Sequence, residues 1–326
     1  MRMTERSAPP TVAGTWLISR RGDFWLACAG GGSILLAMAL VLRWYGDREL
    51  DAADLLLSEL HLGATYDAVL RGRLWRRMPF DVVAVPLAIV AATFALMLGE
   101  QTAWITTVAL YLAAWHRGRQ NFGIARFYQV RMGGAHSTAH DLLFRAAIYL
   151  PMAAGVAYFT NTSFLHEGQQ YLSLDIDPGF IQALGMLALA SLVAYVAFTV
   201  RHREHCHPGE RWLVLANALA FGSAYVLGAW SVSFILVLVV HHEVQYLYFT
   251  YAMARQSAGP RLGAIPAELR LAASFVVWPA LGLATWALSQ RSDAAWIPAF
   301  LMSGLLCHYW LDGRIWTKRA RRLAAA

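Results

Sequence analysis

Apolar runs of about 20 residues recur through most of the chain, and they restrict its fold more than any other feature. The run at residues 180–200, for example, contains no charged side chain. Hydrophobic residues make up 58% of the 326 residues, and charged residues only 14%. Inside lipid, a segment of this length has to satisfy its backbone groups internally, so each run predicts a transmembrane helix. The pattern excludes an ordinary soluble domain and predicts a membrane protein.

We predict an all-α, polytopic transmembrane bundle of about ten spans. The predicted spans cover residues 24–42, 52–70, 80–98, 102–123, 143–160, 180–200, 212–229, 231–254, 271–288 and 296–316. The second span is the weakest because Asp54, Glu59 and Asp67 lower its hydropathy, and eight spans result if it and one other segment lie flat or re-enter. A polar tail (1–20) precedes a single transmembrane domain (21–318), and a short C-terminal tail (319–326) follows.

The basic residues lie in clusters between the apolar runs, and the net charge is +7. One such cluster, Arg71, Arg73, Arg76 and Arg77, separates the second and third predicted spans. Arginine in short loops marks the cytoplasmic side of a membrane, where it faces anionic lipid. This pattern predicts cytoplasmic N and C termini. It also indicates the lipid bilayer, and not nucleic acid, as the partner of the basic residues.

A polar cluster interrupts the eighth predicted span in the sequence HHEVQYLYFTYA, residues 241–252. Ionisable groups inside a membrane are costly, so such a cluster indicates a functional site. Four histidines in the predicted spans are followed four residues later by a hydrogen-bonding side chain, a spacing that puts both on one helix face. The pairs are His61 and Thr65, His116 and Gln120, His241 and Gln245, and His308 and Asp312.

A neutral imidazole can bind a transition metal through one nitrogen while its other N–H needs an acceptor that fixes the ring. We therefore predict a metal centre inside the membrane. Its predicted ligands are His61, His116, His241, His242 and His308. The predicted orienting or cofactor-binding partners are Gln120, Gln245 and Thr65, and Asp312 or Glu243 is predicted to act as a carboxylate ligand or proton acceptor.

Iron fits this mixture of imidazole and carboxylate best, with copper or zinc as alternatives. His241 and His242 point about 100° apart on a helix, so one can bind metal while the other forms a hydrogen bond. One of the two is expected to lie within metal-binding reach of His61, His116 or His308.

Two histidine patterns lie outside this set. The sequence HSTAH places His136 and His140 four residues apart, which makes them a weaker candidate for a metal site. The sequence HREHCH at residues 202–207 is more typical of a solvated, positive-inside connection between spans.

Four strings resemble a group of bacterial multi-pass membrane proteins: ELHLGATYDA, WHRGRQNFGIARFY, HHEVQYLYF and HYWLDGRIW. This resemblance implies a bacterial inner membrane and a shared site inside it, and it carries no established activity. The histidines also loosely resemble the boxes of membrane fatty-acid desaturases and hydroxylases, although HxxHH is missing and the best histidines lie inside spans. The architecture is likewise similar to that of carotene-cleaving membrane oxygenases, which hold iron with histidines in their spans.

The preferred functional hypothesis is an integral-membrane, iron-dependent oxygenase or oxidase that acts on a lipidic or other apolar small molecule. Such an enzyme needs an electron donor or a partner subunit. A haem-binding redox subunit, with histidines of facing helices as axial ligands, is the first alternative. A proton- or ion-coupled transporter, in which the polar cluster relays charge, is the second.

Overall fold

The computed structural model describes residues 16–28, 61–66, 68–70, 74–132, 137–161, 164–166, 169–228, 234–257, 276–277, 280–285, 287–288 and 296–324. Seven long helices lie within these residues. They are α1 (Val85–Leu98), α2 (Thr102–Arg131), α3 (Thr138–Phe159), α4 (Pro178–Arg201), α5 (Pro208–Gly228), α6 (Ile235–Ser257) and α7 (Trp296–Ala324). Residues 61–66 and 68–70 are also helical and are called the His61 segment below.

Shorter helical elements precede or extend the long helices. A single turn at Arg20–Gly22 continues into a π-helix at Asp23–Cys28. A second short helix, Leu74–Arg77, precedes a π-helical turn at Phe80–Ala84 that runs directly into α1. Two short antiparallel strands, β1 (Phe164–His166) and β2 (Gln169–Tyr171), form a hairpin between α3 and α4 that the helix-only prediction omitted.

Four of the helical stretches are long and apolar enough to cross a membrane. The length and composition of these helices indicate a membrane protein. They are Phe80–Leu98, Thr138–Phe159, Pro178–Arg201 and Pro208–Gly228. On α4, for example, Met186, Leu189 and Val193 are 73%, 63% and 60% exposed. Residues spaced three and four apart share a helix face, so this exposed apolar stripe is suited to contact lipid.

The predicted spans at 80–98, 143–160, 180–200 and 212–229 correspond to these four stretches, with ends that differ by a few residues. The predicted spans at 24–42, 52–70 and 271–288 lie partly outside the described residues. The count of about ten spans and the cytoplasmic termini therefore stay predictions. The fourth predicted span, 102–123, lies within α2, which continues past residue 123 to Arg131. Gly123 does not interrupt α2, because a single glycine in a helix costs only about 1 kcal/mol.

Local sequence signals explain several helix ends. Asp177 caps α4 by accepting a hydrogen bond from the backbone N–H of Phe180 at 2.9 Å, and Pro178 occupies the first helical position. Ser137 caps α3 through the N–H of His140. The reversal between α1 and α2 takes only three residues, Gly99 to Gln101, with Glu100 in the left-handed region at φ 62°.

The helices pack around aromatic and aliphatic side chains and are also joined by polar contacts. Tyr128, Phe144 and Tyr195 are fully buried in one cluster between α2, α3 and α4. Asn217 of α5 accepts a hydrogen bond of 2.6 Å from Asn121 of α2 and donates one to the carbonyl of Ile148 in α3. Side-chain amides are typical links between membrane helices, because lipid offers them no competing partner.

Candidate metal centre

Four buried imidazoles converge from four different helical elements. His61 lies in the His61 segment, His116 in α2, His242 in α6 and His308 in α7. Each offers a ring nitrogen, and the four nitrogens all lie within 4.8 Å of one another. All four residues are at least 93% buried. Nitrogens that bind one metal ion at about 2.0–2.1 Å lie roughly 3–4 Å apart, so this group could hold a transition-metal ion after small adjustments.

The ring planes show how closely the imidazoles are packed. His61 stacks on His242 with 4.6 Å between ring centroids, and it meets His308 edge-on at 4.4 Å. His116 lies edge-on to His242 at 5.0 Å and to His308 at 4.9 Å. The four rings therefore enclose one small polar volume.

Asp312 points one carboxylate oxygen into this volume. Its Oδ2 lies 3.7 Å from the Nε2 of His61, 3.7 Å from that of His116 and 3.9 Å from that of His308. These distances are too long for hydrogen bonds. They match the separations expected between atoms that share one ion, so Asp312 is placed as a fifth candidate ligand.

The other oxygen of Asp312 is held by two hydroxyl groups. Thr65 donates to Oδ1 at 2.7 Å and Tyr246 donates to it at 2.9 Å. The two hydroxyl oxygens are also 2.7 Å apart. Thr65, Tyr246 and Asp312 thus form a buried hydrogen-bonded triad that fixes the direction of Oδ2.

Each member of the triad follows a histidine of the cluster by four residues: Thr65 follows His61, Tyr246 follows His242 and Asp312 follows His308. Four residues advance a helix by about 6 Å along one face. Since the histidines meet one another and the later residues also meet one another, the three helical elements run in the same direction.

Glu243 contacts the outer side of one imidazole. Its Oε2 lies 2.7 Å from the Nδ1 of His61, and both residues are almost completely buried. An acidic group on the nitrogen that faces away from a metal fixes the tautomer and orientation of a ligating ring. The structure therefore separates the two carboxylates, with Asp312 inside the histidine group and Glu243 behind His61.

His241 lies outside the group of four, although it precedes His242 directly. Its Nε2 is 3.0 Å from the Nε2 of Gln245, which also donates to the carbonyl of Ala27 at 2.7 Å. The expectation that one of the two adjacent histidines reaches the other ligands and the other forms a hydrogen bond agrees with this placement. Gln120 is expected from the sequence to orient His116, the histidine four residues before it. In the structure Gln120 donates to the backbone carbonyl of His242 at 2.9 Å.

The weaker candidates, His136 and His140, are not brought to this centre. His136 lies outside the described residues. The Nε2 of His140 is 2.8 Å from Oε1 of Glu210, which also accepts hydrogen bonds from Gln129 and Tyr195, each at 2.8 Å. His140 thus belongs to a separate buried polar cluster between α2, α3, α4 and α5.

Several nitrogens of the centre have no hydrogen-bond partner among the described residues. They are Nε2 of His116, Nδ1 of His242 and both ring nitrogens of His61 and of His308, although Nδ1 of His61 lies close to Glu243. Buried polar atoms are nearly always satisfied in folded proteins, and one nitrogen from each of the four histidines lies within 4.8 Å of the others, as the donor set of a metal ion requires. The residues present therefore fit a transition metal, and the geometry does not select which one.

The site residues predicted from the sequence do not include Tyr246. Its ring stacks on His61 at 3.7 Å while its hydroxyl holds Asp312. A signal for this role is present in the sequence, because Tyr246 follows His242 by four residues as Asp312 follows His308. The prediction from the sequence pairs histidines only with amide, aliphatic hydroxyl or carboxylate side chains four residues later. It therefore does not include the phenol group of Tyr246.

Comparison of this chain with family models, curated proteins and solved structures finds no match. The resemblance based on the four sequence strings therefore stays a prediction. Any assignment of function depends on the chemistry of the site itself.

Proposed function

We propose that this protein is an integral-membrane metalloenzyme that uses one iron ion, held by His61, His116, His242, His308 and Asp312, to oxidise an apolar substrate with oxygen. The observation that carries the proposal is the convergence of four buried ring nitrogens within 4.8 Å of one another. Asp312 adds an oxygen ligand to this set. Mixed imidazole and carboxylate ligation is typical of non-haem iron sites.

Charge supports a divalent cation at this position. Asp312 and Glu243 are 3% and 4% exposed, and two carboxylates so deeply buried are costly unless cations compensate them. One divalent ion balances both negative charges. The four histidines can then remain neutral, which is the state in which imidazole binds metal.

An iron ion bound here would supply the site at which oxygen is activated. Oxygenation of a C–H bond places one oxygen atom of O₂ in the product and releases the other as water, with two electrons and two protons from a donor. The proposal therefore includes a reduced electron-carrier protein or partner subunit. Asp312 and Glu243 are the candidate proton acceptors, and the surrounding helices exclude bulk water. The helices around the centre carry exposed apolar side chains, which suits an enzyme that takes a lipidic or other apolar substrate.

The haem alternative is less consistent with the cluster. A porphyrin supplies four nitrogens in a plane and leaves two axial positions for the protein, whereas four imidazoles and a carboxylate converge here. A proton- or ion-coupled transporter remains the second candidate, because the same buried carboxylates and histidines could relay protons. It predicts ion flux in liposomes that survives complete removal of metal.

Metal analysis and an absorption spectrum on one purified sample test the proposal. We expect about one iron per chain, no Soret band, and loss of iron when His61, His116 or His308 is changed to Ala. Stoichiometric copper or zinc would retain the metal centre and overturn the choice of iron. The absence of bound metal in both the wild type and a metal-supplemented preparation would overturn the metalloenzyme.

A further inference from the structure

A surface cavity of about 410 Å³ lies where the N-terminal segment meets the start of α5. Four aromatic residues and two arginines form most of it. They are Trp16, Arg20, Arg21, Phe24, Trp25 and Trp212, beside Pro208. This set contains no carboxylate, so the lining of the cavity is mostly apolar and its charged side chains are two arginines.

The position of the cavity is at a membrane boundary. The apolar helix α4 ends at Arg201 and the apolar helix α5 begins at Pro208, so the short connection between them marks the end of both candidate spans. In that connection Arg203, Glu204 and His205 are exposed. Tryptophan and arginine are enriched at this depth, where aromatic rings and phosphate groups of lipid occur together.

The N-terminal side of the cavity is held by a buried carboxylate. Asp23 is fully buried and accepts hydrogen bonds from the backbone N–H groups of Leu17 and Ile18 at 2.5 and 3.1 Å. It also accepts bonds of 2.8 Å from the hydroxyls of Tyr128 and Tyr248. The turn that carries Arg20 and Arg21 is therefore attached to α2 and α6.

The aromatic wall is also fixed before any ligand binds. Phe24 packs edge-on against Trp25 and against Trp212, with 5.3 Å between ring centroids in both pairs. Trp25 and Trp212 nevertheless remain 53% and 46% exposed. Rings that are oriented by their neighbours but still accessible offer contact area at low entropic cost.

We propose that this cavity binds one anionic phospholipid, with its phosphate on Arg20 and Arg21 and an acyl chain along Phe24, Trp25 and Trp212. The charge of the lining selects the occupant. A net negative head group complements two arginines, whereas a zwitterionic head group brings its own cation close to them. The lipid holds the N-terminal segment against the start of α5 and is independent of the metal centre.

Native mass spectrometry of the full-length protein in neutral detergent tests this proposal with phosphatidylglycerol and phosphatidylcholine of identical acyl chains. We expect phosphatidylglycerol to bind more tightly. Changing Arg20→Gln and Arg21→Gln together should weaken its binding about fivefold for each arginine and leave phosphatidylcholine unchanged. Trp212→Ala should weaken the binding of both lipids, because both use the apolar wall.

The matched control is the double variant Arg201→Gln and Arg203→Gln. It removes the same charge at the same membrane boundary from two exposed arginines that do not line the cavity. We expect it to retain full binding of phosphatidylglycerol. Equal losses in the two double variants would show unspecific attraction and overturn the proposal, as would equal binding of the two lipids by the wild type.

A competition with glycerol 3-phosphate separates a lipid from a free phosphate ester. We expect no displacement of phosphatidylglycerol at equal concentration, because the ester lacks the acyl chains. Displacement at that concentration would overturn the lipid assignment. Unchanged bound metal and thermal stability in each variant show that the fold is intact, so failure here is distinguishable from failure of the metal proposal.

Discussion

The hydroxyl of Tyr246 donates a hydrogen bond of 2.9 Å to Oδ1 of Asp312, a residue 66 positions later in the chain. The other oxygen of the same carboxylate lies 3.7 to 3.9 Å from three imidazole nitrogens. One end of Asp312 is thus oriented by Tyr246, together with Thr65, while the other end faces the histidines. The proposed ligand set depends on hydroxyl groups that lie one helical turn away from it.

Tyr246→Phe removes this hydrogen bond and keeps the ring that stacks on His61. We expect the metal to remain but to bind about tenfold more weakly, because partners that orient a ligand typically contribute 10–100-fold in affinity. Competition with a chelator of known affinity measures the change.

The matched control for this variant is Tyr111→Phe, which removes a tyrosine hydroxyl bonded to Thr160 at 2.9 Å from the same helical bundle. Its metal affinity is expected to equal that of the wild type. A Tyr246→Phe protein that binds metal as tightly as Tyr111→Phe would show that Asp312 does not need its hydroxyl partner.

The adjacent histidines of α6 give a sharp test of the ligand set. His242→Ala removes one of the four converging nitrogens, and we expect metal affinity to fall by at least about tenfold. His241→Ala breaks the contact with Gln245 instead and should retain the metal. Elemental analysis of the two proteins, purified in parallel, distinguishes them, and equal losses would remove the geometric basis of the proposed centre.

Asp312→Asn tests whether the carboxylate is a ligand. Asparagine keeps nearly the same shape and can still accept bonds from Thr65 and Tyr246, but it removes the negative charge. We expect metal affinity to fall by about 100-fold or more, beyond the effect of Tyr246→Phe. The same chelator competition measures both variants, and an affinity loss smaller than that of Tyr246→Phe would place Asp312 outside the ligand set.

The four-residue spacing in the sequence selects His61, His116, His308 and Asp312, which lie together in the structure, but it also selects His241, which lies outside the group. It succeeds because spacing within one helix determines which side chains share a face. It cannot determine which helices are neighbours, so it does not assign Glu243 to the back of His61. The sequence does not reveal the buried carboxylates of Asp23 and Glu210 for a similar reason. Their hydrogen-bond partners come from other helices, and their own sequence contexts resemble ordinary helix ends.

Glu210→Gln tests a polar cluster that we expect to serve stability and not metal binding. Oε1 of Glu210 accepts three hydrogen bonds, from Gln129, His140 and Tyr195. Loss of the charge weakens these bonds, and we expect a loss of about 1–3 kcal/mol in the free energy of unfolding with unchanged metal content. Glu204→Gln, an exposed residue of the preceding connection, is the control and should leave both unchanged. Loss of metal in Glu210→Gln would instead link His140 to the metal centre.

His207, in the connection between α4 and α5, predicts a pH dependence of stability. Burial lowers its pKa to about 4 from 6.5, and the nearby Arg131 acts in the same direction, against the opposite effect of Asp23 and Glu210. The ring is fully buried, stacks on Tyr128 and accepts a hydrogen bond from the N–H of Gly209 through Nδ1. The folded protein therefore stabilises the neutral form of the His207 ring.

Because the pKa is lowered in the folded state, the stabilisation is fully present above pH 6.5 and is lost as the pH falls toward 4. The loss is expected to reach roughly 2–4 kcal/mol, since each pKa unit corresponds to about 1.4 kcal/mol. Thermal unfolding between pH 7.5 and pH 4.5 measures it against His207→Phe, which keeps an aromatic ring in the stack but cannot titrate. Protonation of the metal-centre histidines affects both proteins equally, so the difference between their pH profiles reports His207. Parallel profiles over this range would show that His207 does not couple folding to protonation.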